Sequence, residues 1–513
     1  MLRGALLAFC VLAPSFGLAA LGTAGAPWWR STSLDLDGNG LDDALELDLA
    51  LGEPLVVLVA FATTPTAADR AAIVDAGYTI VHAYEHFDVV AVRALPETVP
   101  RLLDVPGVVF VERSDTVTTL LKDSVPLIGA PQVWRTYGST GKGIVVAVID
   151  DGAYEQHPDL TPKVAGSFDA ALSGNGGVVG AMPASLPVLP AGLDGHGTHV
   201  AGTIVSDGGQ SGGTYRGVAP DAKFVDVKVF SGPNQTSSDV VLRGLDWVIS
   251  NADRLHIRVA TMSLGGRVSD GKDALSRAVN VAVDDGIIVV AAAGNAGPGP
   301  GTVSSPGAAE KAITVGAVDK SKRIAPYSSR GPLSDGRIKP EVVAPGTAIT
   351  STVPPASTTS ALSLLRGGRG EVYYGALSGT SMAAPHVAGV IALMLQVNPE
   401  LGPFEVKQIL VATAQDMSVK GPDGDTGYGF VNAIAATQVA DDPTLLGSPQ
   451  FASVLRTLPE PPKESFADRM AFEYERAVRE GKLPVYVGLA IGVVSLLVTG
   501  GVVGTRAILR PRP

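Results

Sequence analysis

Two hydrophobic patterns follow one another along the middle of this chain. Between about residue 123 and residue 441, short runs of Val, Ile and Ala alternate with segments of helical periodicity. The runs cover residues 143–149, 223–229, 259–262, 287–293 and 312–318. Strands that are apolar on both faces are typical of a parallel sheet covered by helices, so this region predicts one large α/β domain.

A shorter pattern of a different kind precedes this domain. Strands are predicted at residues 54–61, 78–83, 88–92 and 108–111, and helices at residues 67–76 and 97–103. The order β-α-β-β-α-β is that of a ferredoxin-like unit. We therefore predict a small separate domain over residues 53–117.

Both ends of the chain carry membrane signals. Residues 1–26 contain Arg3, a long apolar run and then small residues, which predicts a secretory signal peptide. Residues 485–504 are apolar over about the length that spans a bilayer, although a buried core helix is the alternative. Arg506, Arg510 and Arg512 follow, so residues 505–513 are predicted to be a cytoplasmic tail.

These signals predict a body on the extracellular face of the cell membrane, held by one C-terminal helix. Residues 442–484, which are polar and contain Pro459 to Pro462, are predicted to form a stalk.

The composition bounds the class of protein further. Of 513 residues, 46% are hydrophobic and 17% charged, which indicates a large folded core. The net charge of −11 comes without a basic patch, so nucleic-acid binding is not predicted. Cys10, the one cysteine, lies in the leading apolar segment, so disulfides and thiolate metal sites are not predicted in the body.

An acidic loop follows the leading segment, within residues 33–50. The ligand positions of a twelve-residue calcium loop hold Asp35, Asp37, Asn39, Leu41, Asp43 and Glu46. Leu41 would offer its carbonyl and Glu46 both carboxylate oxygens, and Gly40 lies where such a loop turns sharply. This pattern predicts a structural Ca²⁺ site, with an acidic solvated turn as the alternative.

Four polar residues stand where apolar strands end or helices begin. These residues are Asp150, His196, Asn295 and Ser381. A buried Asp needs a partner such as a histidine N–H, and a serine at a helix N-terminus has main-chain donors beside it for an oxyanion. Each residue alone is a modest signal, but the order Asp, His, Asn, Ser in four tight contexts is specific.

These contexts resemble the catalytic blocks of the subtilases, the subtilisin-like serine proteases of peptidase family S8. The resemblance rests on Val148-Ile-Asp150-Asp-Gly152, His196-Gly-Thr-His199-Val-Ala-Gly202, Ala293-Gly-Asn295 and Gly379-Thr-Ser381-Met-Ala-Ala-Pro385. The segment Ser263, Leu264, Gly265 and Gly266 resembles the family's substrate-binding strand. The small front domain is similar to the family's I9-type propeptide, which inhibits the enzyme and assists its folding.

The resemblance implies a serine endopeptidase made as a zymogen, with polypeptide substrates and its own propeptide as partners. Ser381 would be the nucleophile, His196 the general base, and Asp150 its orienting partner. Asn295 and the Ser381 N–H would form the oxyanion hole. The peptidase domain would cover residues 118–441, with the propeptide junction between Val117 and Asp123.

Two departures from the family pattern stand out. Asp151 follows Asp150 where the family usually has Thr or Ser, which leaves Asp151 open as an alternative working acid. Asp159 matches a family calcium ligand, yet its companion loop at residues 209–216 is rich in glycine and lacks the usual Asn pattern.

The alternatives are structural or non-catalytic. His199 and His386 lie in small-residue helices, where packing is the simpler role, and the spacing and Glu of a zinc protease motif are absent. The competing function is a non-catalytic, calcium-dependent surface binding protein on a protease scaffold, supported by Asp151, the anchor and the calcium loop.

Overall fold

A computed structural model describes most of the body of the chain. The described residues are 35, 39–49, 55–114, 116–119, 124–172, 195–230, 232, 235–355, 357, 373–417, 420–455 and 457. The predicted signal peptide, transmembrane helix and cytoplasmic tail lie outside these residues, as does the predicted calcium ligand Asp37.

The large domain is built on a seven-stranded sheet in which every neighbouring pair is parallel. Its strands are β6 (Val145–Asp150), β7 (Val164–Asp169), β8 (Lys223–Lys228), β10 (Ile257–Met262), β12 (Ile288–Ala292), β13 (Ile313–Val318) and β14 (Val342–Pro345). They lie in the order β14-β13-β12-β10-β6-β8-β7. This confirms the predicted parallel sheet; the strands at 164–169 and 342–345 were not predicted.

Helices cover both faces of this sheet. They are α3 (Ala130–Tyr137), α4 (His196–Val205), α5 (Ser238–Leu255), α6 (Ala274–Asp284), α7 (Thr380–Val397), α8 (Pro403–Thr413) and α9 (Ala433–Asp441). Side chains of β6 alternate between the two layers: Val146 and Val148 pack with α4 and α7, whereas Ala147 and Ile149 pack with α5 and α6. Such two-sided burial explains why the strands are apolar throughout.

The front unit, residues 55–113, is a four-stranded antiparallel sheet. Its strands β1 (Leu55–Phe61), β2 (Thr79–Ala83), β3 (Val89–Ala94) and β4 (Val108–Arg113) lie in the order β2-β3-β1-β4, with helix α2 (Ala67–Asp75) after β1. The second predicted helix is a 3₁₀ helix, Pro96–Asp104, and in an α-helix the ring of Pro100 would clash with the carbonyl four residues earlier. This arrangement has the ferredoxin-like connectivity.

One face of the front sheet packs on the large domain. Leu58, Ala91 and Phe110 share a buried cluster with Leu245 of α5 and Leu275 of α6. The opposite face packs with α2, with the 3₁₀ helix and with a short helix α1 (Asp43–Leu49) that precedes the sheet. The front unit is therefore seated on the α5–α6 side of the large domain.

The body extends further than the predicted start of the stalk at residue 442. A 3₁₀ helix, Pro443–Gly447, and helix α10 (Pro449–Leu455) continue from α9. Leu445, Leu446 and Phe451 pack against the core of the large domain. The predicted stalk therefore begins within packed structure, and the compact unit ends at Leu455.

Within the part of the chain that the structure describes, one helix is long and apolar enough to cross a bilayer. It is α7, and it is buried in the core of the large domain.

Candidate active site

The polar residues singled out from the sequence meet at the carboxyl edge of the parallel sheet. Asp150 is the last residue of β6, Ser263 follows the neighbouring β10, and Asn295 lies just beyond β12. Ligand sites in parallel α/β sheets form at this edge. Helices α4 and α7, which begin at His196 and beside Ser381, pack against each other over it.

Asp150 and His196 form a fully buried pair. Oδ1 of Asp150 accepts hydrogen bonds from His196 Nδ1 at 2.5 Å and from the Asp151 N–H at 2.8 Å. Among the described residues, Oδ2 has no hydrogen-bond partner. Because Nδ1 is held by the carboxylate, Nε2 is the ring nitrogen that can exchange a proton with another group.

Helix α4 is held in place by hydroxyls from strand β15 (Ile349–Thr352). Ser351 Oγ donates to the His199 carbonyl at 2.9 Å, and Thr352 Oγ1 donates to the Thr198 carbonyl at 2.8 Å. Gly202 leaves room for both, since a Cβ atom there would lie 2.0 Å from Thr352 Oγ1 and 2.6 Å from Ser351 Oγ. These contacts fix the direction from which His196 reaches Asp150.

Ser381 lies at the start of α7, next to Ser263. Its hydroxyl donates to the Ser263 carbonyl at 2.8 Å, and Ser263 Oγ donates to the Ser381 carbonyl at 2.7 Å. The free N–H groups and the dipole at a helix N-terminus favour negative charge. A substrate carbonyl attacked by the Ser381 oxygen would therefore develop its negative charge beside these donors.

Asn295 is oriented by the same helix. Its Oδ1 accepts from the Thr380 N–H and from Thr380 Oγ1, both at 3.1 Å. Thr380 Oγ1 is in turn held by the main chain of Gly294. Because the amide oxygen faces α7, the Nδ2 group of Asn295 is the one left to donate elsewhere. Sequence reasoning singled out Asn295 but missed Thr380, which directs it.

Asp151 binds the start of α4 and not the imidazole nitrogen that Asp150 holds. Its Oδ1 accepts the Gly197 N–H at 2.6 Å, and the residue is 1% exposed. A carboxylate there satisfies a main-chain donor at the helix N-terminus and is favoured by the helix dipole. The geometry therefore gives Asp151 a role in positioning His196 and leaves the pairing to Asp150.

A third buried acid, Asp226 on β8, lies close to these two. Burial raises its pKa well above the usual range, and the charges of Glu155, Asp151 and Asp150 raise it further, while the Ala153 N–H that it accepts opposes the shift. Burial and the neighbouring carboxylates therefore favour the neutral form of Asp226. No local sequence pattern predicted Asp226, which lies 76 residues after Asp150, as part of this site.

His199 and His386 have structural roles. His199 Nε2 donates to the Ile349 carbonyl at 2.8 Å, and His386 Nδ1 donates to the Met382 carbonyl at 2.6 Å. Burial lowers the pKa of His386 to about 4, so its ring is neutral. Both are core histidines bonded to backbone.

A strand of this chain already lies in the groove beside Ser263. Strand β5 (Thr116–Thr119) runs between β11 (Leu264–Gly265) and β9 (Thr236–Ser237) and is antiparallel to both. Leu264 pairs with Thr119, and Gly265 with Thr118. The sequence had indicated the Ser263–Gly266 side of this groove; the opposite wall at Thr236–Ser237 was missed.

The front unit reaches the N-termini of two helices of the large domain. Glu112 accepts the Ala274 N–H at the start of α6 through both oxygens, at 2.9 and 3.1 Å. The Tyr84 hydroxyl donates to the Asp239 carbonyl in α5 at 3.1 Å. Burial raises the pKa of Glu112 to about 8, and the charge of Asp273 adds to this against the opposing effect of Arg277 and Arg267.

The part of the sequence that carries these residues matches a known protein family. The profile of the Subtilase family matches residues 141–429, more than half of the chain. The chain belongs to the subtilase family. Its curated relatives include proteins named serine protease and subtilisin.

Three subtilases illustrate the similarity. Serine protease AprX of Bacillus subtilis (strain 168) is 39% identical over 308 residues, which cover 57% of this chain and 66% of that protein. Subtilisin E of the same strain is 35% identical over 370 residues, covering 71% and 84%. Fervidolysin from Fervidobacterium pennivorans, a keratinolytic enzyme related to subtilisin, has a TM-score of 0.59 at 25% identity, covering 75% of this chain and 61% of that chain.

Subtilases typically bind structural calcium, and Asp159 matches a calcium ligand of the family. One carboxylate oxygen accepts the Gln210 N–H at 3.0 Å. The other accepts Ser206 Oγ at 3.2 Å and the Tyr374 hydroxyl. These hydrogen bonds take three of the about four lone-pair sites of the carboxylate.

The predicted calcium loop before the front unit is also internally hydrogen-bonded. Asp35 accepts the N–H groups of Asn39 and Gly40 at 3.1 and 2.9 Å, and Gly40 has φ +88°. The Asn39 side chain contacts Glu46 Oε1 at 2.8 Å. Asn39 makes this contact through Nδ2, and its Oδ1 accepts the Leu41 N–H at 2.8 Å. Asp35, Asn39 and Glu46 thus meet at one turn, from which helix α1 leaves as an exit helix.

Two substitutions separate the hydrogen bond that Asp151 accepts from its negative charge. Asp151→Ala leaves the buried Gly197 N–H without an acceptor, which costs about 1–3 kcal/mol, whereas Asp151→Asn keeps an oxygen there. We expect kcat on a peptide substrate to fall about tenfold further in the Ala variant than in the Asn variant. Equal kcat values, measured per titrated active site, would contradict the positioning role.

Proposed function

We propose that this subtilase is an active serine endopeptidase, made as a zymogen whose front unit is an inhibitory propeptide. Asp150, His196 and Ser381 form its catalytic triad, and Asn295 with the Ser381 N–H forms the oxyanion hole. The observation that carries the proposal is the 2.5 Å contact between His196 Nδ1 and Asp150 Oδ1, buried at the edge of the sheet where α7 presents Ser381.

The chemistry follows from these positions. Ser381 Oγ attacks the substrate carbonyl while His196 takes its proton at Nε2, and the Asp150 carboxylate stabilises the imidazolium that forms. Asn295 Nδ2 and the start of α7 donate to the oxyanion. His196 then gives the proton to the leaving amine, and water hydrolyses the acyl-enzyme by the same steps in reverse.

Oδ2 of Asp150, which lacks a hydrogen-bond donor among the described residues, favours proton transfer to His196. With no donor on Oδ2 among the described residues, the buried carboxylate gains most when the neighbouring ring becomes positive. That state exists only after His196 has taken the serine proton, so the attraction is stronger in the transition state than before it.

Replacing the nucleophile tests the activity. The wild-type chain is expected to convert to shorter forms and to react covalently with a fluorophosphonate probe at Ser381. Ser381→Ala should stay full length, lose labelling and lose at least about 10⁴-fold in kcat. Ser334→Ala, an exposed serine on the same domain, is the matched control and should behave as wild type.

The same experiment decides between the two functions considered from the sequence. A wild-type chain that stays full length and unlabelled in the presence of calcium would favour the non-catalytic binding protein. Asp151, one of the features that supported that alternative, is engaged with the Gly197 N–H in the structure.

The register of β5 points to the bond that is cut. Gly265 pairs with Thr118 and Leu264 with Thr119, so continuing the register by one residue would set Leu120 opposite Ser263. Ser263 is the residue whose carbonyl binds the Ser381 hydroxyl. One residue along a strand is about 3.4 Å, so the carbonyls before and after Leu120 would miss the nucleophile. The proposed cleavage bond is Leu120–Leu121, outside the described residues.

The pocket beside this position favours an uncharged side chain. Cβ atoms built on Gly265 and Gly294 would each lie 2.6 Å from Ser304 Oγ, so two bare glycines and a hydroxyl meet there. A charged side chain would lose its hydration next to these groups without gaining a counter-ion. We therefore infer a preference for aliphatic residues such as leucine before the cut bond.

Substitution at Leu120 checks both points. Mass spectrometry of the matured wild type should find a new amino terminus at Leu121. Leu120→Asp is expected to slow processing by at least about tenfold, because its carboxylate would be desolvated in the pocket. Leu120→Met keeps an uncharged side chain and should retain the wild-type processing rate. Leu172→Asp, an exposed leucine, serves as control. A terminus elsewhere in a catalytically labelled chain would overturn the assignment and leave the peptidase function intact.

Calcium at the front loop is proposed to steady the zymogen. Leu41 and Leu45 of this loop and its helix are buried in the core of the front unit, so ordering the loop stabilises that unit. A cut at residue 120 would separate the loop from the mature enzyme. Asp35, Asp37, Asn39, Leu41, Asp43 and Glu46 would hold the ion.

A calcium titration of maturation tests this role. The wild-type maturation rate should rise with free calcium, and Asp35→Ala should require at least about tenfold more calcium because a ligand is lost. Asp75→Ala removes an exposed carboxylate from the same unit and should leave the titration unchanged. Identical calcium dependence in Asp35→Ala and wild type would remove the loop from the mechanism.

The proposed location follows from the two ends of the sequence. A signal peptide at residues 1–26 and a span at 485–504 would put the peptidase on the extracellular face of the membrane, with polypeptides as substrates.

A further inference from the structure

The segment ahead of the front unit touches the large domain through one buried carboxylate. Residues 39–49, here called the anchor segment, lie along the edge strand β4. Val111 donates to the Gly40 carbonyl and accepts from the Asp42 N–H, each at 3.0 Å. With Leu41 and Leu45 in the core of the front unit, the segment is part of that body.

Asp42 points from the anchor segment to Arg267 of the large domain. Arg267 Nη1 donates to Asp42 Oδ1 at 3.1 Å, and Nη2 lies 2.9 Å from Oδ2. Oδ2 also accepts the Arg113 N–H at 3.2 Å. Asp42 is 1% exposed and the Arg267 side chain 18%, so the pair is largely shielded from water.

Arg267 lies next to the substrate-binding segment. It follows Gly266 directly, and its carbonyl accepts the Ser305 N–H at 2.9 Å, while the Gly266 N–H donates to the Ser305 carbonyl at 2.8 Å. Glu112 of the front unit is a further 3.9 Å neighbour of Arg267. A contact on Arg267 therefore acts on the wall of the groove that β5 fills.

We propose that the anchor segment is a separate inhibitory contact, in which Asp42 locks the front unit to the groove wall through Arg267. It supplements the strand β5 and the helix-end contacts of the front unit. The inference rests on the proposed zymogen function for its consequence, which is delayed release of the front unit after cleavage. Removing one partner of a shielded ion pair should weaken this hold by roughly tenfold or more.

Hydrogen exchange in the full chain tests the contact without requiring activity. In a Ser381→Ala background, Asp42→Asn and Arg267→Met should each speed exchange in residues 39–49 and 263–267 by roughly tenfold or more. Asp42→Asn keeps an oxygen for the Arg113 N–H, and Arg267→Met leaves the front unit unaltered. The double variant should exchange no faster than the faster single variant, since both changes remove one interaction.

A matched control and a functional readout complete the test. Asp75→Asn, an exposed acid of the front unit, should exchange as the background does. In chains with Ser381, the lag between cleavage and peptidase activity should shorten in Asp42→Asn. Unchanged exchange in both single variants, or additive effects in the double variant, would overturn the anchor. Absence of any peptidase activity would overturn the proposed function, while the exchange data would still decide the contact.

Discussion

The active centre of this subtilase depends on a carboxylate that has been taken out of water. Asp150 ends a fully buried strand, and a buried charge of this kind is tolerated only when donors replace its hydration. The donors are His196 Nδ1 and the Asp151 N–H, both on one oxygen. The strand, the start of α4 and the turn between them must therefore be in register before the site exists.

Contacts with the main chain of neighbouring elements hold the strand and helices in this register. Hydroxyls of Ser351 and Thr352 hold α4, and Asp151 holds its first turn. On the other side Thr380 orients Asn295, and Ser263 and Ser381 exchange hydrogen bonds. Most of these bonds join a side chain to backbone, so they fix positions of whole elements. The supports of the site are therefore secondary-structure elements.

Much of this could be predicted from the sequence, for a physical reason. Asp150, His196, Asn295 and Ser381 each sit at the end of a strongly patterned strand or helix, where composition changes within a few residues. Thr380 and Asp226 lack such a local signature, because what matters is which element they meet in space. The same holds for Asp42 and Arg267, which are 225 residues apart in sequence. The position of the helix at residues 96–104 could be predicted, but the sequence pattern did not distinguish a 3₁₀ helix from an α-helix.

The front unit is likewise held on the large domain by a small number of specific contacts. Its strand β5 satisfies the open edges of β9 and β11, Glu112 satisfies the start of α6, and Asp42 pairs with Arg267. Each contact supplies a group that the large domain would otherwise expose to water at its groove. Cleavage of the chain after β5 breaks none of these contacts, because all of them lie on the front side of the proposed bond. Under the proposed function, release would therefore be a second event after cleavage, governed by how many such contacts have to open together.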